Sequence, residues 1–241
     1  MRVEIDDKSG FCFGVVRAID KAERALADYG TVYSLGDIVH NRIEVQRLEG
    51  LGLHTVTHAD LDGLGGRRLF IRAHGEPPST FARAREAGVE VIDATCPVVA
   101  KLQERVVKAH AEMAESGGQV VILGKRGHAE VVGLTGQVAA PTLVVEREED
   151  LAQVDFTRPV YFLSQTTQSI ALFERLADEM AAQYDVVMAT EIGGGIVPLE
   201  AEQRRAREAA GRLACLLAAR ADTVIEMFCG IATVLKGEMP C

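Results

Sequence analysis

The sequence predicts an α/β fold built from repeated strand–loop–helix units, which form two similar small domains with parallel or mixed sheets and a divergent C-terminal segment. Short β-branched or apolar runs recur along the chain, and amphipathic segments with apolar residues at helical spacing lie between several of them. Polar residues with useful chemistry follow directly after several of the predicted strands. These observations together favour helices packed on mainly parallel sheets.

The individual elements follow from this alternation in chain order. β-Branched and apolar runs predict the strands Thr31–Leu35, Arg68–Ile71, Val89–Ile92, Gln119–Leu123, Thr142–Val145, Pro159–Leu163, Asp185–Met188 and Thr223–Phe228. Apolar residues repeated every three or four positions predict the clearest helices, which are Val15–Leu26, Val98–Met113, Ile170–Ala182 and Glu202–Ala219. No Pro/Ser-rich linker or change of composition marks a domain boundary.

Composition narrows the classes of function. The 241 residues are 48% hydrophobic and 25% charged, which is ordinary for a globular protein. A net charge of −9 and the absence of Trp argue against a nucleic-acid surface or an anionic membrane surface as the partner. A phosphorylated ligand stays compatible, because a pocket needs only a few donors. We expect a cytoplasmic protein, since no run is apolar enough for a membrane span or a signal peptide.

Two of the five cysteines have the same local setting. Cys12 comes immediately before a predicted helix, and Cys96 lies between a predicted strand and Pro97. A helix N-terminus favours a thiolate, so these positions suit metal ligands, although small core residues are an equally open interpretation. The 83 residues between them exclude a compact zinc or ferredoxin motif. Any metal cluster would have to be assembled from distant loops.

Histidines and hydroxyl residues follow the other strands. His40, His74 and His128 lie in loops that contain Gly or Pro, and Thr166 and Thr167 come shortly after a predicted strand. Ligands of open α/β sheets bind at the carboxyl ends of the strands, so these side chains could converge. Loop histidines are also common without any function.

Three further polar motifs are compatible with either a functional or a purely structural role. Glu130, two residues after His128, could form with it a pair for general acid–base chemistry. The turn Ser164–Ser169 suits a helix cap or an anion site. His54 and His58 have a spacing seen in zinc sites, but a solvated strand edge is the favoured interpretation.

Six stretches carry a family resemblance, in the family's order and at similar spacing. They are GFCFGVVRAI, LGDIVHNRIEVQRLEGLG, RAHGEPP, VIDATCPVV, ILGKRGHAEVVGLTGQ and SQTTQS. Over residues 1–186 the chain thereby resembles the iron–sulfur 4-hydroxy-3-methylbut-2-enyl diphosphate reductases of the non-mevalonate isoprenoid pathway. The resemblance implies reductase-like α/β domains over 13–97 and 98–186.

The resemblance also implies a cofactor and partners. Family members hold a [4Fe–4S] cluster with three cysteines, and Cys12 and Cys96 match the first two of these ligands. The implied reaction takes two electrons and two protons from outside the substrate and yields isopentenyl or dimethylallyl diphosphate and water. The implied partners are a small allylic diphosphate and an external electron donor such as ferredoxin or flavodoxin.

Site residues carry over position by position. His40, His74 and His128 match residues that hold the diphosphate or the allylic hydroxyl, and His128 is also expected to take part in catalysis. Glu130 matches the proton donor. Thr166 matches the threonine that positions the hydroxyl, and the adjacent Thr167 is expected to contribute to substrate binding.

Residues 187–241 depart from the reductase pattern. They lack the third cysteine shortly after the QTT helix and the Ser-Ser-Asn diphosphate clamp. Through EIGGGIVP, an Arg/Glu-rich helix and a final strand ending in LKG, they resemble instead the C-terminal end of the adenosylcobinamide kinase/guanylyltransferase family. Cys215, Cys229 and Cys241 are left as candidate ligands, with none assigned. The alternative to a reductase is therefore a non-catalytic remnant or fusion protein that binds a phosphate or cobinamide ligand.

Overall fold

Residues 10–183, 224–228 and 231–236 are described by a computed structural model of the chain. The first of two units runs to Val154 and takes in Arg158–Gln168, and the second comprises Asp155–Thr157 and the described residues from Ser169 onward. The following predicted features lie outside the described residues: the strand Asp185–Met188, the helix Glu202–Ala219, Cys215, Cys229 and Cys241.

A four-stranded parallel sheet forms the first half of the first unit. Its strands stand in the order β2-β1-β3-β4. The strands are β1 (Val32–Leu35), β2 (Leu53–Val56), β3 (Arg68–Ile71) and β4 (Glu90–Asp93), and the helices are α1 (Phe13–Tyr29), α2 (Arg42–Gly50) and α3 (Pro78–Glu86). The chain leaves β1 toward one edge and returns to build the other edge from β3. The strand order therefore reverses between β1 and β3, where α/β sheets open a binding crevice.

Both faces of this sheet are buried. Phe70 of β3 packs with Ala22 and Leu26 of α1 on one face. The neighbouring Leu69 and Ile71 join the opposite cluster with Ala84 of α3 and Leu61 of the 3₁₀ helix His58–Gly63. Successive residues of a strand point to opposite faces, so the continuous apolar run of β3 serves two cores.

The second sheet has three parallel strands in the order β6-β5-β7. Its elements are α4 (Pro97–Ser116), β5 (Gln119–Leu123), α5 (Ala129–Thr135), β6 (Thr142–Val145), a 3₁₀ helix (Glu148–Gln153) and β7 (Val160–Ser164). Leu102, Val106 and Ala109 recur along one stripe of α4 and pack with Ile122 and Leu163 of the sheet. The strand order reverses again, here between β5 and β7.

The second unit contains the last described elements. Helix α6 (Ile170–Ala181) begins at Ser169, whose hydroxyl accepts a hydrogen bond from the Leu172 N–H. Strands β8 (Val224–Phe228) and β9 (Ile231–Lys236) pair antiparallel.

The predicted α/β class with parallel sheets is confirmed. Each predicted strand that falls within the described residues matches an observed strand to within one residue at either end. The sequence pattern did not predict β2, α2, α3 and α5, which have 4, 9, 9 and 7 residues. Such short elements show too few periods to be recognised. Among the described residues, no helix is long and apolar enough to cross a membrane.

We expect Gly52→Ala to destabilise the first sheet. Gly52 has a φ of +109°, and a Cβ there would overlap the Gly30 carbonyl oxygen. The backbone strain alone costs at least about 1–2 kcal/mol, and the overlap adds to it. Urea unfolding of the full chain measures the change. Gly63→Ala, whose Cβ would meet no atom within 4 Å, is the control and should unfold like the parent. Equal midpoints for both variants would contradict the prediction.

Candidate functional site

The candidate residues lie in loops next to the two positions at which the strand order reverses, between β1 and β3 and between β5 and β7. His40 lies in the loop after β1 and His74 in the loop after β3, next to the first reversal. His128 caps the start of α5 after β5, and Thr166 follows β7, next to the second reversal. All four therefore lie at carboxyl ends of parallel strands, where binding sites of this fold class form.

The side chains of His40, His74 and His128 lie next to one another. The ring centroids lie 5.2 Å apart for His40 and His74, 5.8 Å for His40 and His128, and 5.2 Å for His74 and His128. One ring nitrogen from each lies within 4.8 Å of the others. We call these three residues the histidine cluster. Their convergence, which the sequence left open, is observed across two separate sheets.

Burial and nearby positive charge lower the pKa of two of these rings, His74 and His128. Burial lowers the pKa of His74 to about 4, with further lowering by the Arg72 guanidinium and the two other rings. Burial is also the main cause that lowers the pKa of His128, against the opposing effect of the Glu130 carboxylate. At neutral pH both rings are therefore uncharged, and Arg72 supplies a positive charge that acts on both of them, with Lys125 adding to it at His128.

The buried Glu130 is hydrogen-bonded to the exposed Thr166 across the second reversal of strand order. The Glu130 residue is 1% exposed. Its Oε1 accepts a hydrogen bond of 2.7 Å from the Thr166 N–H, and its Oε2 lies 2.8 Å from the Thr166 hydroxyl. A carboxyl group buried in this way needs such partners, because an unpaired buried polar group is costly. The pair places a carboxyl group beside the hydroxyl of an exposed residue.

Gln165 is a site residue that the sequence did not single out. Its side chain is buried, and its Oε1 accepts from the Lys125 N–H at 3.1 Å. Its Nε2 lies 2.7 Å from the Thr167 hydroxyl oxygen and 3.3 Å from Nδ1 of His128. Only its position in the polar turn after a strand could have pointed to it. The adjacent Thr167 thus contacts the site through Gln165.

The two cysteines lie at helix N-termini, as predicted. Cys12 is the N-cap of α1 and Cys96 the N-cap of α4, and neither side chain makes a capping hydrogen bond. A Cβ on Gly14 would lie 2.7 Å from the Cys96 sulfur. The first turn of α1, which follows Cys12, therefore packs directly on Cys96. Both thiols are free, Cys12 exposed and Cys96 half-buried.

The His54 and His58 pattern separates into two different environments. His54 is exposed on β2, whereas His58 lies beyond the strand in a 3₁₀ helix. His58 Nε2 lies 2.9 Å from the buried Glu76 carboxylate, which also accepts from the Thr80 hydroxyl at 3.2 Å. The two histidines are solvated residues with separate contacts, which agrees with the favoured interpretation.

Comparison with known proteins gives a consistent family. The LytB protein family matches residues 3–196, somewhat beyond the expected limit of 186. A 4-hydroxy-3-methylbut-2-enyl diphosphate reductase from Parabacteroides distasonis is 52% identical over 180 residues, which cover 75% of this chain and 62% of the relative. The chain thus spans about three fifths of the length of this curated relative.

Solved structures agree with these relatives. One, described as (E)-4-hydroxy-3-methyl-but-2-enyl diphosphate reductase, the terminal enzyme of the non-mevalonate pathway, is 36% identical with a TM-score of 0.64, covering 73% of this chain and 62% of that one. The E-1-hydroxy-2-methyl-but-2-enyl-4-diphosphate reductase from Plasmodium falciparum is 28% identical with a TM-score of 0.66, covering 73% and 55%. The likeness extends to the fold that carries the candidate site.

We expect the free energy of unfolding to fall as the pH drops from about 6.5 toward 4. The pKa of His74 is about 4 in the folded chain and about 6.5 when unfolded. In this window the unfolded chain binds a proton that the folded chain does not, which favours unfolding. Urea titrations at several pH values should show a shallower dependence for His74→Gln, by up to about one proton.

The control for this pH dependence is His54→Gln, which removes an exposed histidine outside the cluster. It should keep the pH dependence of the parent chain. The same slope in His74→Gln as in the parent would show that His74 is not the group responsible.

Proposed function

The chain belongs to the LytB protein family, and from this premise we propose that it catalyses reductive dehydroxylation of 4-hydroxy-3-methylbut-2-enyl diphosphate. The allylic C–O bond breaks, two electrons and two protons are taken up, and the products are isopentenyl or dimethylallyl diphosphate and water. The observation that carries the proposal is the meeting of the histidine cluster with the Glu130–Thr166 pair at the strand ends. The proposed anion site and the proposed proton donor would thereby be adjacent.

The histidine cluster would bind the diphosphate. Neutral imidazoles offer N–H donors to phosphate oxygens, and Arg72 contributes a positive charge close enough to lower the pKa of His74. Its Nη1 donates to the Asp37 carbonyl at 3.3 Å, which holds the guanidinium beside the loop that carries His40. A bound diphosphate would accept hydrogen bonds from the imidazole N–H groups and would be attracted by the charge of Arg72.

Glu130 would supply the proton for the leaving hydroxyl. Its Oε1 is held by the Thr166 N–H, which leaves Oε2 to exchange a proton with the Thr166 hydroxyl 2.8 Å away. Thr166 would position the substrate hydroxyl against this carboxyl group. Protonation turns the hydroxyl into a water molecule, which is a far better leaving group. His128 lies in the same turn and would hold the substrate beside Glu130.

Cys12 and Cys96 would hold two irons of a [4Fe–4S] cluster. Both thiols are free and lie at helix N-termini, and cysteine sulfur is the usual ligand of iron–sulfur clusters. Gly14, which has no side chain, lets the first turn of α1 approach the Cys96 sulfur without overlapping it. When bound, such a cluster supplies the electrons and a Lewis-acidic iron for the substrate oxygen. Within the described ranges no further cysteine is present.

The remaining expectations follow from the resemblance. We propose an external ferredoxin or flavodoxin as electron donor. We also propose the domain bounds 13–97 and 98–186; one sheet has its strands between Val32 and Asp93 and the other between Gln119 and Ser164. The 187–241 segment, its cobinamide kinase-like pattern and a cytoplasmic location stay predictions.

We expect Glu130→Gln to lower turnover by about 10²–10⁴-fold, because the general acid is lost. The amide oxygen can still accept from the Thr166 N–H, so the fold and iron content should be kept. Turnover is measured with the diphosphate substrate and a reduced redox dye as electron donor. Glu86→Gln removes an exposed carboxylate on α3 and should match the parent. Equal loss of iron in Glu130→Gln would contradict the proton-donor role.

We expect Gly14→Ala to lower iron and acid-labile sulfide per chain by half or more after anaerobic reconstitution. Its Cβ would lie 2.7 Å from the Cys96 sulfur and force this thiol away. Gly50→Ala on α2, where a Cβ meets no atom within 4 Å, is the control and should load normally. A parent chain that retains no iron would favour the non-catalytic remnant instead.

A further inference from the structure

The Nδ1 atom of His128 faces two hydrogen-bond donors. The first is the backbone N–H of Glu130, at 3.2 Å. A backbone N–H can only donate, so this contact favours a lone pair on Nδ1. A neutral imidazole has one N–H, and the contact therefore favours the tautomer that carries it on Nε2 of His128.

Gln165 supplies the second donor, and its orientation is not free. The Lys125 N–H, again an obligatory donor, lies 3.1 Å from Oε1 of Gln165. This contact assigns the oxygen end of the amide and leaves the NH₂ group toward Nδ1 of His128 at 3.3 Å and the Thr167 hydroxyl at 2.7 Å. Since Gln165 is 4% exposed, no water can easily replace these partners.

This arrangement decides which ligand charge the cluster suits. Three histidine nitrogens within 4.8 Å could by distance alone surround either a cation or an anion. Metal-binding histidines usually give their other N–H to a carboxylate or carbonyl, which leaves a lone pair for the metal. His128 shows the reverse, with donors on Nδ1 and an N–H on Nε2 for an anion.

We propose that Gln165 is a positioning residue that, together with the Glu130 N–H, fixes the Nε2–H tautomer of His128 and so makes the histidine cluster a donor site for a diphosphate anion. The identity of the anion rests on the proposed function, whereas the tautomer does not. The same two donors resist a second proton on Nδ1, so His128 stays a neutral donor when the anion binds. Gln165 thereby acts on the ligand through His128 and does not need to touch it.

The tautomer can be read directly by NMR. In the full chain labelled with ¹⁵N-histidine, long-range ¹H–¹⁵N correlations distinguish an Nε2–H ring from an Nδ1–H ring, and His128→Gln identifies the signals of His128. We expect the Nε2–H pattern at neutral pH. An Nδ1–H pattern in the parent chain would overturn the proposal whatever the variants do.

Two substitutions at Gln165 test whether this residue controls the tautomer of His128 and the affinity for diphosphate. Gln165→Glu has the same shape but can accept the Nδ1–H of His128, and we expect the tautomer to switch and the Kd for inorganic diphosphate to rise at least ten-fold. Gln165→Met removes the donor without adding charge, and we expect mixed tautomers and a smaller rise. Gln183→Glu adds the same charge at an exposed position and should keep the parent affinity.

The outcomes separate this proposal from the reductase activity. An unchanged Nε2–H pattern with unchanged diphosphate affinity in both Gln165 variants would overturn the role of Gln165. If Gln165→Glu fails to fold, which circular dichroism shows, the parent tautomer and Gln165→Met still decide. A chain with the expected tautomer and diphosphate binding but no turnover would count against the proposed reaction alone.

Discussion

The site depends on one constraint, the position at which each parallel sheet reverses its strand order. Parallel strands present their carboxyl ends at the same edge, and a reversal leaves the loops of two adjacent strands diverging to opposite faces. Here β1 and β3 flank one reversal, and β5 and β7 flank the other. Loops from both reversals supply the histidine cluster, so residues from 40 to 128 meet within a few ångströms. Moving any one of these strands would separate the candidate side chains.

Buried hydrogen bonds then fix how the loops of the second sheet face each other. The carboxyl group of Glu130 and the amide of Gln165 join the start of α5 to the turn after β7 through contacts of 2.7–3.3 Å. Each of these groups would be costly to bury without partners. The loss of one partner would leave another buried polar group without a hydrogen bond. The network therefore holds the start of α5 and the turn after β7 in one relative position.

The anion site proposed for this acidic chain depends on local charge and not on the net charge. The net charge is −9, yet His74 and His128 have lowered pKa values and the Arg72 guanidinium acts on both of them. Burial weakens solvent screening around Arg72, so one guanidinium has more influence here than several lysines in water. The proposed diphosphate site thus needs directed N–H donors more than overall basicity. Gln165 contributes to this by setting the direction of the donor on His128.

The sequence by itself determined most of the described strands, the long helices and the residues that follow them, because periodicity and residue type are local properties. It placed β3 and β5 without error, and it pointed to His74, His128 and Thr166 at strand ends. Tertiary structure alone decided which strand ends are neighbours, since strand order depends on pairing between distant segments. It also decided the contact between Gly14 and Cys96 and the role of Gln165. A glutamine in a polar turn carries no local signal of its partner, which lies 37 residues away in the chain.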